Sequence, residues 1–303
     1  MNMIEISVII INFNSSNYTI QCIDSIFKKT GKDIAFEIIV VDNKSETKDF
    51  EILKNYCVSL NHDKLHLYQN SENSGFGGGN MFGFEKAKGS YLAFVNNDIL
   101  FKNDCLSILS NSLKQNHEIG VCAPTTYTSD GEILPTLDFY TSPLKVICGR
   151  KIYKYLRPKE FINRNLKLEK PTKGDFVSGS FMMLTYENFK KSGGFDTNIF
   201  LYHEETDLCK RLEKMNLSAV CEPKAECIHF HGASTPKSIK IKAELKRSLL
   251  YVIKKHYGNL YYFLIHFYIL NSYLLKVIVK PKYFYLIKQL LRPISLNSST
   301  KTD

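Results

Sequence analysis

Ile6–Phe13 is an almost unbroken β-branched run, the pattern of a strand buried on both faces. Tyr18–Lys28 spaces its apolar residues as a helix does, with Asn17 placed to cap it. Phe36–Val41 is a second buried strand and ends at Asp42-Asn43. Thr47–Leu60 is polar and helix-compatible, and Leu65–Gln69 alternates like a short strand. The loop from Asn70 contains Gly75-Phe76-Gly77-Gly78-Gly79, after which Asn80–Lys88 reads as a helix. Tyr91–Val95 is another strand, with Asn96-Asn97-Asp98 at its end. The order β-α-β-α-β-α-β over roughly a hundred residues predicts an α/β domain with a mostly parallel central sheet.

Regularity then weakens. Thr125–Thr172 is rich in Pro, Tyr and basic residues and predicts loops or short hairpins. Pattern returns at Phe176–Leu184, at a helix beginning near Glu204, and at Ala219–Cys221 and Glu226–Phe230. Beyond Ser234 the chain becomes long helical stretches of Leu, Ile, Tyr and Phe studded with lysine.

Charge divides the chain at the same place. The net charge is +10, yet the segment from Ser234 to Asp303 holds 11 Lys and 2 Arg against only Glu244 and Asp303. The 233 residues before it carry about −1, so the basic character belongs to the tail. A hydrophobic fraction of 44% excludes gross disorder. The eight cysteines form no CxxC pair and several lie in apolar segments, as reduced core thiols do, which favours a cytoplasmic protein. Met-Asn-Met-Ile-Glu runs straight into the first strand, without the basic and long apolar regions of a secretory signal.

Ligands of open parallel sheets bind beyond the carboxyl ends of the strands. Asn12 and Asn14, Asp42, and Asn96-Asn97-Asp98 all occupy such ends. Asp42 suits a base or ribose, and Asp98 a divalent cation bridging to a diphosphate. A strand-end turn explains any one of them; the three together weaken that explanation. Gly75-x-Gly77 imitates a dinucleotide fingerprint, but Asn80 fills the third glycine position and the loop follows the third strand. A nicotinamide oxidoreductase is disfavoured accordingly. The acidic group Glu204-Glu205-Thr206-Asp207 opens a helix, where the helix dipole also favours carboxylates. One of them beside an acceptor is a general base. Cys221, Cys227, His229 and His231 have a spacing that matches no standard zinc finger, while His229 could complete a metal site with Asp98.

The ordered set Ser7–Asn14, Val40–Asn43, Asn73–Asn80, Asn96–Asp98, Gly193-Gly194-Phe195-Asp196, Glu204–Leu208 and His229–Ser234 resembles the family 2 glycosyltransferases of the GT-A fold, in their bacterial rhamnosyltransferase-like branch. The resemblance covers residues 5–260. It implies an inverting transfer of sugar from a nucleotide-diphosphate donor to an acceptor hydroxyl, with Mg²⁺ or Mn²⁺. Asn12, Asn14, Asp42, Asn73, Gly75, Gly77, Gly78, Asn80 and Asn97 would bind the donor, Asp98 and His229 the metal. Asp207 and Gly179 would lie on the acceptor side. The base falls on Glu205 where the family usually has Asp, with Glu204 its rival, and the usual acidic DxD motif is reduced to Asn96-Asn97-Asp98. Those departures leave open a catalytically silent relative that binds nucleotide-sugars or membrane partners.

The implied domains are 1–235, catalytic, with a donor half to about residue 100 and an acceptor half after it, and 236–303, a basic amphipathic extension. Leu260–Val279 has the length of a membrane span, but His266, Asn271, Ser272 and Lys276 interrupt it, which favours an interfacial helix. Lys280, Lys282, Lys288 and Arg292 would then face anionic head groups on the inner face of the cytoplasmic membrane. A lipid-linked saccharide acceptor in surface polysaccharide synthesis fits that placement, with dTDP-rhamnose the donor the branch suggests. No nucleic-acid motif accompanies the charge.

Overall fold

The computed structural model describes residues 4–139, 142–156, 166–230 and 238–292. The first part of the chain runs β1 (Ile6–Asn12), α1 (Ser16–Lys29), β2 (Phe36–Asp42), α2 (Thr47–Leu60), β3 (Leu65–Gln69), α3 (Gly75–Phe84), β4 (Tyr91–Asn96) and β5 (Ile99–Phe101). Then follow α4 (Cys105–Gln115), β6 (Ile119–Tyr127), β7 (Ile133–Leu134), β8 (Leu137–Asp138), α5 (Pro143–Leu156), β9 (Thr172–Gly174), β10 (Phe176–Val177), β11 (Phe181–Thr185) and α6 (Tyr186–Lys191). The chain continues with α7 (Glu204–Glu213), β12 (Ser218–His229), α8 (Ile239–Val279) and α9 (Tyr283–Leu291).

The main sheet has the order β3-β2-β1-β4-β11-β6-β12-β5. β1 pairs in parallel with β2 and β4, and β2 with β3. β11 enters antiparallel beside β4. Alternation along β1 explains its composition: Val8 and Ile10 join the core under α1 and α4, while Ile9 joins the core on the opposite face. Both faces are covered, so each of these side chains is fully buried, a gain of about 1.5–3 kcal/mol apiece. A third core, formed by α8 and α9 around Leu250, Ile253, Ile269 and Leu286, is separate from the two sheet cores.

Several expectations need correction. Asn17 lies inside α1; the residue at its N-cap is Ser15, whose side chain makes no capping hydrogen bond. The glycine run is no loop: α3 begins at Gly75 and ends at Phe84, short of Lys88. Helix interiors disfavour glycine by about 1 kcal/mol each, but here the helix backbone lies against the sheet. A Cβ on Gly79 would sit 3.2 Å from Ile11 and 3.3 Å from Asn43. The region read as loops contains α5, kinked at Gly149. Phe176–Leu184 is divided between β10 and β11, and the two patterned stretches after Leu217 fuse into β12 across an irregularity between Glu222 and Glu226. That irregularity sends Cys221 and Cys227 to cores on opposite faces of the sheet, which separates the two thiols of the zinc reading. His231 lies outside the described residues. The cysteines are free, and burial pushes the Cys221 and Cys227 thiols up to about 12.

Candidate active site

The strand order reverses between β1 and β4, and a cleft of about 290 Å³ opens there beyond their carboxyl ends. Ile11, Phe13 and Ser15 line it from the β1 side, Val95, Asn96 and Asn97 from the β4 side. Asn43, Asn73, Gly75 and Phe76 form a third wall, and Phe200, Leu201 and Ile241 close the fourth. Of the expected donor residues, Asn73, Gly75 and Asn97 therefore reach the cleft.

The others build its floor. Asn12 and Asp42 are fully buried. Asn12 Nδ2 donates to Asp42 Oδ1 (2.9 Å) and to Asp49 Oδ2 (3.0 Å), while Thr19 Oγ1 donates to Asn12 Oδ1 (2.7 Å). Asp42 Oδ2 accepts from Ser45 N and from Gln69 Nε2, each at 3.1 Å. A carboxylate so surrounded fixes the ends of neighbouring strands. Asn14, at φ +49°, bridges to the next connection by accepting from Glu46 N at 2.7 Å. Asn80 Nδ2 donates within its own helix to Phe76 O (2.9 Å), and Gly77 and Gly78 are not among the cleft residues. Gly77 instead faces the carbonyls of Asp196 and Ile199.

Gly75 shows why this position takes no side chain. Its φ is +73°, and a Cβ would run into the Phe200 carbonyl oxygen, which accepts from Phe76 N at 2.9 Å. The segment after Gly193-Gly194 is thereby seated on the start of α3. Phe195 anchors it in an aromatic cluster with Phe76, Phe94 and Phe189.

Strand pairing sets the acidic turn. β5 leaves β4 through Asn97-Asp98 and pairs antiparallel with the end of β12, placing His229 opposite Ile99. Asp98 Oδ1 consequently lies 3.1 Å from His229 Nε2. That oxygen is buried and has no hydrogen-bond partner. Asn97 is turned by donation to Ser15 Oγ (2.6 Å) and Thr19 Oγ1 (2.9 Å). A carboxylate oxygen without a hydrogen bond beside an imidazole nitrogen is a donor set that fits a divalent metal of the Mn²⁺ or Mg²⁺ kind. Among the described residues no third His, Cys, Asp or Glu joins them. Any further ligands would come from substrate or water.

The second acidic group lies in the first turn of α7. Tyr202 and His203 precede it, both at positive φ (+71° and +72°). Such conformations cost on the order of 1–3 kcal/mol each for non-glycine residues and concentrate at functional sites. They aim Glu204 and Glu205 inward. Gly179 abuts the Glu205 side chain, a Cβ there lying 3.4 Å from Oε2, and the neighbouring Ser180 O accepts from Asn96 N at 2.8 Å. Glu205 is thus linked to the end of β4 through two adjacent residues. Burial raises its carboxyl above the usual range. Burial, and then the Glu205 charge, raise Glu204 further, and Glu204 Oε1 has no hydrogen bond.

Asp207 turns the other way, toward the helical extension. It is fully buried and receives Arg211 (2.8 Å), Lys255 (2.7 Å) and His256 (2.8 Å). Burial alone would raise this carboxyl; His256, Arg211 and Lys255 more than reverse that and hold it well below its ordinary value. Lys255 and Tyr251 also bind Asp196, at 2.6 and 2.8 Å, and Ser248 Oγ donates to Leu201 O. The first half of α8 therefore clamps the wall that carries Glu205. The side-chain partners of Asp207, expected on the acceptor side, all belong to α7 and α8. Phe13, Phe76, Phe200, Leu201 and Ile241 are cleft residues that no sequence motif marks; their only signal is a position next to strand ends or glycines.

A mixed sheet covered by helices on both faces and open at its switch point has the GT-A fold of glycosyltransferases. The glycosyl transferase family 2 profile matches residues 7–193, and the chain belongs to that family. It is 26% identical over 265 residues to rhamnosyltransferase WbbL of Escherichia coli K12, covering 82% of this chain and 92% of that protein. It is 33% identical over 115 residues to an uncharacterized glycosyltransferase of Rickettsia bellii, of which it spans 16%. An N-acetylglucosaminyl-diphospho-decaprenol L-rhamnosyltransferase of Mycobacterium tuberculosis is 32% identical over 85 residues, 27% of this chain and 28% of that protein. The fold is shared with a mannosyltransferase of Pyrobaculum calidifontis solved with GDP-Man and Mn²⁺, at TM-score 0.58, 14% identity, 95% of this chain and 85% of that one. GalNAc-T7, solved with UDP, GalNAc and Mn²⁺, matches at TM-score 0.61, 15% identity, 84% of this chain and 48% of that one.

Proposed function

We propose that this protein transfers a sugar, with inversion, from a nucleotide-diphosphate donor to a hydroxyl of a lipid-linked saccharide at an anionic membrane surface on the cytoplasmic side. The observation that carries the reading is the pairing of Asp98 with His229, its Oδ1 without a hydrogen bond, together with the half-buried Glu205 at the start of α7. The residues of 4–230 make the catalytic unit and those of 238–292 an extension that closes the acceptor wall.

Asp98 and His229 would hold Mg²⁺ or Mn²⁺, which supplies neutralising charge to the leaving diphosphate. The cleft between β1 and β4 takes the donor, with Asn73, Asn97 and the start of α3 at Gly75 and Phe76 against it and Phe13 offering an apolar face. Asn12 and Asp42 keep the strand ends that shape it. Glu205 accepts the proton of the acceptor hydroxyl as its oxygen attacks the anomeric carbon and the bond to the diphosphate oxygen breaks. A single displacement inverts the anomeric centre, through a transition state with oxocarbenium character. Solved neighbours with UDP or GDP-Man and Mn²⁺ support a nucleotide-sugar and a divalent ion. The relatives named rhamnosyltransferases, one of them acting on a decaprenol-linked substrate, support a deoxyhexose donor such as dTDP-rhamnose and a polyprenol-linked acceptor.

Thermal shift with a panel of nucleotide-sugars, in Mn²⁺, Mg²⁺ or chelator, tests this. One donor should stabilise the protein only with metal, and Asp98→Ala should abolish the effect. No shift with any nucleotide-sugar or nucleoside diphosphate would favour the catalytically silent relative instead.

A further inference from the structure

The polypeptide from Ile239 to Val279 is two helices rather than one, because Gly258 has φ +86° and ψ 178°. The second half folds back beside the first. Lys254 Nζ lies 5.4 Å from the Tyr262 ring centre near the bend, and Lys242 Nζ 5.7 Å from that of Tyr273 near the open end. The hairpin is held by one face only. Ile265, Ile269 and Tyr273 are buried against Ala243, Leu250 and Ile253 and against Leu286 and Leu290 of α9.

The opposite face is apolar and uncovered. Leu260, Phe263, Phe267, Leu275 and Ile278 recur at helical spacing and are 63–80% exposed. Leu260–Val279 is about 30 Å long. One such residue on a soluble surface is ordinary, but a stripe of this length marks an interaction site. Tyr268 Oη donates to Ile147 O of α5 at 3.3 Å, so the exposed Ile152 and Tyr155 extend the same region sideways. Charge says what covers it. Lys276, Lys280, Lys282, Lys288 and Arg292 are exposed at the end of the stripe and on α9, and the only acidic residue from 238 to 292, Glu244, is buried. A long apolar face bordered by cations, without anions, complements an anionic lipid surface.

We propose that this stripe beds into one leaflet of an anionic bilayer, with the hairpin lying in the interface, and that the cleft mouth is thereby held at the lipid surface. The inference rests on the membrane-surface reading above and adds which face docks and how. Composition and length alone would let α8 span a bilayer. Spanning would strip Ile265, Ile269 and Tyr273 from the bundle, whose first helix is tied to Asp196 and Asp207 by Tyr251, Lys255 and His256. The interfacial arrangement keeps every one of those contacts. It also places the open end of the hairpin, where Lys242 donates to Tyr283 Oη at 3.2 Å, next to Ile241 in the cleft wall. An acceptor with a lipid tail then reaches Glu205 without leaving the bilayer.

The chain contains no tryptophan, so a single introduced one reports its own surroundings. Phe267→Trp should shift to the blue with vesicles containing phosphatidylglycerol and be quenched by lipids brominated near the head-group end of the acyl chain. Val58→Trp on α2, equally exposed (70%), should do neither. Phe263→Glu with Leu275→Glu should weaken vesicle binding at least tenfold while donor-induced thermal stabilisation stays as in the wild type. Neutralisation by Lys280→Gln should weaken it about fivefold, and only at low salt. Wild-type protein that ignores the vesicles overturns both the membrane reading and this inference. Vesicle binding that spares Phe267→Trp, or quenching deepest at the bilayer centre, overturns the inference alone. So does a wild-type dimer in solution that Phe263→Glu with Leu275→Glu splits without changing vesicle binding.

Discussion

The central sheet and the C-terminal hairpin are built from equally apolar sequence, but they bury it differently. β1 and β2 have a helix layer on each side, so Ile9 and Ile10, pointing opposite ways, are both fully buried. In the hairpin Ile269 is buried while Phe267, two residues away, is 71% exposed. Charge follows the same division. At the sheet ends acidic side chains are held by neutral amides and hydroxyls, as Asp42 is by Asn12, Ser45 and Gln69. In the extension cations serve as couplers, Lys255 and His256 reaching across to Asp207. An apolar pattern therefore identifies a face to be covered, and only the packing shows whether protein covers it.

α7 is where the two regions meet, and its residues give the largest expected effects. Glu205→Gln should lower kcat by roughly 10²–10⁴, with donor-induced stabilisation retained. A Tm that falls along with kcat would mean that Glu205 belongs to the clamp. Asp207→Asn should do the reverse, costing about 3–5 kcal/mol by leaving Arg211 and Lys255 without their buried counter-charge. Denaturant unfolding at neutral pH measures this.

The Asp207 effect has a definite pH dependence. Its native carboxyl titrates below the unfolded value of about 3.9, so its stabilisation is complete above that value and is lost as pH falls toward the depressed native one. Wild type and Asp207→Asn should therefore converge in stability below about pH 3.9, and parallel curves would refute the ion-pair account. Glu205 is displaced upward by burial. As a base it must be ionised, so the acid limb of kcat/KM should lie above the ordinary glutamate value of about 4.3, and a limb at or below it would point to a solvated group elsewhere.

Core substitutions sharpen the contrast with smaller effects. Ile9→Ala should cost about 2–5 kcal/mol, and Leu275→Ala no more than about 0.5 kcal/mol in solution. Equal costs would mean that the stripe is covered by protein.

Much of the donor half was legible because local pattern and burial agree there. Continuous β-branched runs gave the strands of the parallel sheet, and the polar residues at their ends gave the cleft's location. Motif order singled out Asp98 and Glu205 as candidates. The glycine run was misread because glycine's local preference opposes a helix, while packing against β1 and Phe200 favours one. The ion-pair role of Asp207 has no local signal, because its partner His256 lies 49 residues further on, at a distance no local pattern encodes.

The sequence by itself determined the class of fold, the near-neutral body with its basic tail, and the acidic residues available for chemistry, since these depend on periodicity and on residue type. Tertiary structure decided which carboxylates are bound internally and which are presented. It brought His229 to Asp98 by strand pairing, joined α8 to the wall that carries Glu205, and left one face of the hairpin bare. Those outcomes depend on contacts between residues tens to more than a hundred positions apart, such as His229 with Asp98, and they are set when elements pack rather than when they form.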